Sequence, residues 1–351
     1  MGDNLKKSML GALKWTTINI VGAQAFQLIV GIILARILLP EEFGLVGVLF
    51  FFIGLSTVFI DGGFGQGLIR KKDATAKDFN TIFIFNLCIS FTFYLILFFS
   101  APLIAAFFKQ PALIPLARVL FVSVIIFSFY FIQQVQLLKK LDYKAQAIIN
   151  LLSIILSGII AIFLAINNFG VWAIVYQQLA YHLIKAIAFP FFLKWKPRFE
   201  FSFSTISELW KFSVNLLGQI VLNVVFNNIY TILIGRFFNF QQVGYYNQAN
   251  RYSETVNTAT QNILSTGTFP VFAQIHDDQP RLLRIYRKLT SSVSLITFPL
   301  VIMLILVARP LLITLITTKW IESIALFQLL LLANLFTPAY TININILNAR
   351  G

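Results

Sequence analysis

Long apolar runs, each closed by a short polar segment, fill this chain from one end to the other. A membrane crossing takes about 20 largely apolar residues. Ten runs meet that length: 15–39, 43–61, 80–101, 113–138, 146–166, 170–193, 212–236, 243–270, 289–308 and 322–348. The eighth is the poorest in apolar residues. The pattern predicts an all-α, polytopic membrane protein of about ten transmembrane helices.

Composition strengthens that reading. Of 351 residues, 58% are hydrophobic and 11% are charged, whereas soluble domains carry about a quarter charged residues. There is too little polar surface to cover a water-soluble globule. The single cysteine, Cys88, lies within an apolar run, so neither a disulfide framework nor a cysteine metal site is expected. His182 and His276 are far apart; no metal and no cofactor is expected. The N-terminal run, Trp15–Leu39, is longer than the apolar core of a cleavable signal and reads as a first membrane helix.

A net charge of +14 could point to nucleic acid, but no basic-aromatic interleaving is present. The basic residues follow the helix count instead. With the N-terminus inside, the inner segments hold 20 of the Lys and Arg residues and the outer segments hold 6: Arg36, Lys109, Arg118, Arg236, Arg309 and Lys319. Lys185 is counted at the inner end of the sixth helix, and Arg251 falls inside the eighth. Such alternation supports both the count and a cytoplasmic N-terminus.

The pattern also repeats. ILARILLPEEFG at 33–44 is echoed by TILIGRFFNFQQVG at 231–244, so Arg36 and Arg236, and Gly44 and Gly244, stand 200 residues apart. Gly67 and Gly267 keep that offset, and Ala101-Pro102-Leu103 is echoed by Arg309-Pro310-Leu311 at an offset of 208. The eight extra residues are expected near His276 to Pro280. An even number of predicted helices separates the copies, so they share orientation and are related by an axis along the membrane normal. This gives two pseudo-symmetric six-helix bundles: residues 1–204, and residues 205–351 with four predicted helices. The second bundle is therefore read as incomplete and the chain as cut short. Two such lobes with a cavity between them suit a transporter.

Polar stripes run inside the predicted helices. Asn215, Gln219, Asn223, Asn227 and Tyr230 share one face of the seventh. Asn19, Gln24 and Gln27 take comparable places in the first. Asn247, Asn250, Arg251, Glu254, Asn257 and Gln261 form a stripe in the eighth. A charge near the membrane centre costs roughly 2.5–3.5 kcal/mol on insertion scales, so these faces either pack on other helices or line a watery cavity. Interhelical bonding, each contact giving about 0.6 kcal/mol, accounts for any one amide; the set as a whole favours a cavity. Arg251 could pair with Glu254 three residues on, or bind an anion. Arg36 and Arg236 could snorkel to the outer interface. DGGFGQG at 61–67, which begins with Asp61, lacks the order of a phosphate-binding loop; it suits a flexible inner end of the second helix, with Arg70 beside it.

Four stretches together carry a family resemblance: LARILLPEEFGLVGVL, DGGFGQGLIRKKDAT, FGVWAIVYQQL and NNIYTILIGRFF followed by VGYYNQANR. Over nearly its whole length the chain resembles the polysaccharide and lipopolysaccharide (O-antigen type) flippases of the multidrug/oligosaccharidyl-lipid/polysaccharide exporter superfamily. The resemblance implies two facing six-helix bundles in a bacterial cytoplasmic (inner) membrane. It implies flipping of an undecaprenyl-pyrophosphate-linked oligosaccharide from the inner to the outer leaflet, with membrane lipid, polysaccharide polymerases and glycosyltransferases as partners. The candidate substrate-binding residues are then Arg251, Arg36 and Arg236 for pyrophosphate, and Asn223, Asn227, Gln27, Asn247, Glu254, Asp61 and Arg70 beside them. Two alternatives stay open. A multidrug cation antiporter of the same fold would need membrane carboxylates, for which Asp61 and Glu254 are the candidates. A membrane glycosyltransferase or polymerase would need acid/base carboxylates near a large outer loop, and the predicted outer loops are short, with Glu41, Glu42 and Glu322; an enzyme is not expected.

Overall fold

The computed structural model describes residues 2–274 and 279–350. The expected insertion around His276 lies mostly outside the described residues, and so does the side chain of Asn215. Among the described residues the secondary structure is helical, without strands. In order the helices are α1 (Gly2–Ile37), α2 (Pro40–Asp61), α3 (Phe64–Arg70), α4 (Ala76–Phe107), α5 (Leu113–Leu120), α6 (Val122–Lys139), α7 (Tyr143–Ile166) and α8 (Trp172–Phe192). They continue with α9 (Phe203–Phe237), α10 (Phe240–Gln274), α11 (Gln279–Leu306), α12 (Ala308–Ile316), α13 (Ser323–Ala333) and α14 (Thr337–Arg350).

Among the described residues, eight of the ten expected crossings are helical segments long and apolar enough to span a membrane. The other two, at 170–193 and 243–270, are helical as well, in α8 and α10. Their polar side chains dilute the apolar run. The fourth and tenth expected helices are each interrupted, at Phe121 between α5 and α6 and at a 3-10 turn, Asn334–Phe336, before α14. Pro338 explains the second break: it has no N–H to give the turn behind it.

The repeat is visible in the helix boundaries. α1 ends at Ile37 and α2 starts at Pro40; α9 ends at Phe237 and α10 starts at Phe240. The two starts are held differently. Pro40 opens α2 with a ring suited to a first helical turn, and the Glu42 carboxylate accepts from the Leu39 N–H at 2.7 Å. At α10 the Asn239 side-chain Oδ1 accepts from the Gln242 N–H at 2.9 Å. The proline echo diverges further on. Pro102 sits inside the continuous helix α4, whereas the equivalent Pro310 lies in the first turn of the separate helix α12.

The DGG of residues 61–63 is a helix break. Gly62 and Gly63 both have positive φ, 54° and 78°, a region that L side chains avoid. A Cβ on Gly63 would stand 2.9 Å from the Ser213 carbonyl oxygen. The pair thus ends α2, opens α3 and lets α9 approach backbone to backbone. The Asp61 carboxylate accepts from the Gly65 N–H at 3.1 Å and so holds the start of α3.

The chain divides into two compact units, residues 1–243 and 244–351. In the first, α7 packs between α1 and α8, α6 packs on α4 and α8, and α9 lies along α2, α3 and α4. Its main core draws on Leu34, Leu49, Leu116, Phe121, Val124 and Val175, and it takes in Phe240 and Val243 from the start of α10. In the second unit, α11 packs on α13 and α14, and Leu282 and Ile342 are buried together.

Candidate functional site

A buried polar network in the first unit is built on α8. Gln178, Tyr181, His182 and Lys185 are spaced three, one and three apart, which places them on one helical face. That face turns toward α6 and α7. The Tyr130 hydroxyl lies 2.8 Å from His182 Nδ1, and Gln178 Nε2 lies 3.0 Å from His182 Nε2. With the Gln178 amide donating, Nε2 accepts and Nδ1 carries the proton that goes to the Tyr130 oxygen.

A second chain of bonds runs through the same face. Lys185 Nζ donates to the Tyr181 hydroxyl. Tyr181 donates to Asn150 Oδ1 at 3.0 Å, and Asn150 Nδ2 donates to Asn19 Oδ1 at 2.8 Å. Each group passes its hydrogen in one direction, from α8 through α7 to α1, so every bond polarises the next. The ammonium of Lys185 also sits 4.3 Å from the centre of the Tyr181 ring and 5.7 Å from that of Tyr130. Ring faces and a hydroxyl compensate part of the desolvation of a cation buried to 9% exposure.

Beside this chain is a cavity of about 230 Å³, lined by Asn19, Gln134, Gln146, Asn150 and Lys185, with Ile149 and Phe189 as apolar walls. Amide groups offer donors and acceptors together, and Lys185 supplies positive charge; among the described residues no carboxylate lines it. An arrangement of this kind can hold hydroxyl-rich and anionic groups.

The residues singled out from the sequence fall elsewhere for the most part. Asn19, from the α1 stripe, is within this network, while Gln27 is exposed on α1. Asn223 and Asn227 are exposed on α9 and bond to each other, Asn227 Nδ2 to Asn223 Oδ1 at 3.3 Å. Arg36 is exposed at the end of α1. Arg236 donates to the Phe107 carbonyl and lies 4.8 Å above the Phe107 ring, which ties the end of α9 to the end of α4. Asp61 is engaged by Gly65, and Arg70 is exposed at the end of α3. In the second unit Asn247 and Arg251 are half-buried on α10 and Glu254 is exposed. Lys185, Tyr181 and His182 were missed as a group, although their spacing on α8 is the signal that would have found them.

A separate polar cluster ties the 193–202 segment and the start of α9 to the α3–α4 loop. Lys71 Nζ bonds to Glu208 at 2.7 Å and to Asp78 at 3.3 Å. Asp78 also accepts from the Thr205 hydroxyl at 2.7 Å and from the Thr75 N–H at 2.8 Å. Asn80 accepts from the Arg198 N–H at 3.3 Å, and Thr81 Oγ1 accepts from the Ser202 N–H at 3.1 Å. Lys139 donates to the Leu68 carbonyl at 2.7 Å and also to that of Lys71.

Known proteins resemble this chain in sequence, and solved structures resemble it in fold. Teichuronic acid biosynthesis protein TuaB of Bacillus subtilis (strain 168) is 26% identical, over 99% of this chain and 72% of its own length. Succinoglycan biosynthesis transport protein ExoT of Rhizobium meliloti (strain 1021) is 24% identical over 95% and 68%. Lipopolysaccharide biosynthesis protein WzxC of Escherichia coli (strain K12) is 23% identical over 95% and 68%. Among solved structures, the lipid II flippase MurJ in an inward closed conformation superposes with a TM-score of 0.75 at 13% identity, over 96% of this chain and 76% of that one. An inward-facing MATE family transporter of the MOP superfamily superposes with a TM-score of 0.64 at 16% identity, over 97% and 87%. These two establish the fold. The polysaccharide biosynthesis protein family matches residues 33–325, and with that match the chain belongs to this family of membrane proteins.

Proposed function

We propose that the chain acts in the membrane-crossing step of surface polysaccharide synthesis. It would flip an undecaprenyl-pyrophosphate-linked oligosaccharide from the inner to the outer leaflet of a bacterial cytoplasmic membrane, with its N-terminus on the cytoplasmic side. The observation that carries this reading is Lys185: a buried cation within a bundle of apolar helices, set among amides and hydroxyls at a cavity with no carboxylate among its described lining residues. Sugars need such donors and acceptors, and a diphosphate needs the cation. The names of TuaB, ExoT and WzxC point the same way.

Arg251, Arg36 and Arg236 are proposed as further contacts along the path, as is the grouping of residues 1–204 and 205–351 into two lobes. A multidrug cation antiporter is less well supported, since Asp61 is taken up at the start of α3 and the polar cavity carries a lysine.

The test is Lys185→Met against Lys185→Arg in a flippase-null strain and in proteoliposomes with a fluorescent lipid-linked oligosaccharide. Losing one charge-assisted bond of about 1.5–3 kcal/mol should slow flipping by about tenfold or more in the methionine variant. The arginine variant should recover part of the rate. Normal flipping by Lys185→Met, at equal protein in the membrane, would remove this cavity from the transport path.

A further inference from the structure

Between α2, α4 and α9 the first unit holds a second cavity, of about 240 Å³. Phe59, Phe64, Phe85, Phe93 and Trp210 form half of its wall. Phe59 and Phe93 stack at 5.2 Å, and Phe64 meets Phe85 edge-on at 5.1 Å. The one hydroxyl in the wall, on Thr92, donates to the Cys88 carbonyl at 2.9 Å. Its polarity is spent within α4, and apart from the Trp210 indole N–H the other lining side chains are apolar.

The groove has a direction. Along α4 it runs from Phe85 to Phe93, roughly 12 Å at 1.5 Å per residue, close to the half-thickness of a hydrocarbon core of about 30 Å. It begins where α2 breaks at Gly62, and α3 leads from there to Arg70, roughly 9 Å on. Arg70, Lys72 and Lys77 are exposed at that end, with Asp73 on the same loop. Lys71 is occupied by Asp78 and Glu208. A lipid lying in this groove therefore has a one-leaflet length of apolar wall for its tail and cations for its head.

We infer that this groove holds the polyprenyl tail of the lipid-linked substrate while its phosphate end stays at the basic loop of Arg70, Lys72 and Lys77. The inference rests on the flippase reading. The aromatic walls decide between chains. A polyprenyl tail carries methyl branches and double bonds at regular intervals, and these meet ring faces that a straight saturated acyl chain meets less well.

Cys88 makes this testable in the unaltered chain. It is the single cysteine, it is exposed, and it lies three residues after Phe85 and four before Thr92, at the edge of the groove's face of α4. A benzophenone attached to Cys88 would be irradiated in vesicles holding a tail-labelled polyprenyl phosphate and a tail-labelled phosphatidylglycerol at equal mole fraction. Ring contacts of ordinary strength predict cross-linking that favours polyprenyl phosphate by about fivefold. Val214→Trp, which fills the groove from α9, should bring the ratio down toward one. Cross-linking in proportion to mole fraction would overturn the inference, because the groove would then hold bulk lipid. Flipping of the lipid-linked oligosaccharide is measured in the same vesicles. A ratio of one with flipping intact rejects the groove alone; fivefold enrichment without flipping keeps the groove as a polyprenyl site and rejects the transport reading.

Discussion

Lys71 Nζ stands 2.7 Å from Glu208 Oε2, across 137 residues of sequence. Through that contact, and through Thr205 on Asp78, the start of α9 is fixed to the loop that leads into α4. The 193–202 segment lies between them and uses its own backbone N–H groups on Asn80 and Thr81. A segment that could have been a loose tether is a bonded strap.

The strap should respond to alkali. The hydrogen bond to Glu208 raises the Lys71 pKa above its ordinary 10.5, partial desolvation works against it, and Asp78 adds to the rise. A lysine whose pKa rises on folding stabilises fully below its unfolded value, and that contribution is lost as pH climbs through the folded value. Glu208 is more than half exposed, so the effect is small, about 0.5 kcal/mol. Thermal unfolding in detergent at pH 9 and above pH 11 should show the wild-type chain losing more stability than Glu208→Gln. Parallel losses in the two proteins would show that the contact contributes nothing measurable.

Asn150 joins three helices, taking the Tyr181 hydrogen and giving its own to Asn19. Asn150→Leu strands both partners. Interhelical bonds in membranes give about 0.6 kcal/mol each, so the variant should lose about 1 kcal/mol. The double variant Asn19→Leu, Asn150→Leu should lose less than the sum of the single losses, because it removes a donor and its acceptor together. Unfolding free energies in mixed micelles decide it; strict additivity would mean that the bond at 2.8 Å is replaced by water at no loss.

Gly63 should be among the least tolerant positions of the first unit. Its φ of 78° is strained for alanine, and the new methyl would meet backbone atoms of Ser213 at 2.9 and 3.0 Å, which cannot rotate aside. Gly63→Ala should cost about 1–3 kcal/mol. Gly218, within α9, has nothing within 4 Å of an added methyl, and Gly218→Ala should stabilise by about 0.5–1 kcal/mol. A melting comparison in detergent reads both. Equal melting points for the two variants would contradict the close approach of α9 to the Gly63 turn.

The helices were legible because a membrane span announces itself in one dimension: about 20 apolar residues need no partner to be recognised. The 200-residue echo was legible for the same reason, since Arg36 and Gly44 recur as Arg236 and Gly244 around a short loop between two apolar runs. The Lys185 network was not. Gln178, Tyr181, His182 and Lys185 share a face, but Lys185 reads equally well as a charge at a helix end, and His182, far from His276, only argues against a metal site. What makes them a site is Tyr130 on α6 and Asn150 on α7, and no periodicity within α8 states which helices lie opposite. The same polar residues dilute the apolar run of α8, as the stripe from Asn247 to Gln261 dilutes that of α10. In this chain a weak hydropathy signal marks helices with polar work to do.

The alternation of loops across the membrane remains to be measured, and α4 offers the cleanest case. Its 32 residues span roughly 48 Å at 1.5 Å each, well beyond a hydrocarbon core of about 30 Å, so both ends reach water. Thr75 and Gln110 flank it and both are at least partly exposed. The loop at Thr75 carries Lys71, Lys72 and Lys77, whereas the turn at Gln110 has Lys109. The positive-inside rule then places Thr75 on the cytoplasmic side and Gln110 outside. In a Cys88→Ser background, a membrane-impermeant maleimide added to whole cells should label Gln110→Cys and leave Thr75→Cys unlabelled until the membrane is opened. Labelling of Thr75→Cys from outside would invert the orientation, and with it the direction proposed for substrate movement. Labelling of both from one side would show that α4 does not cross.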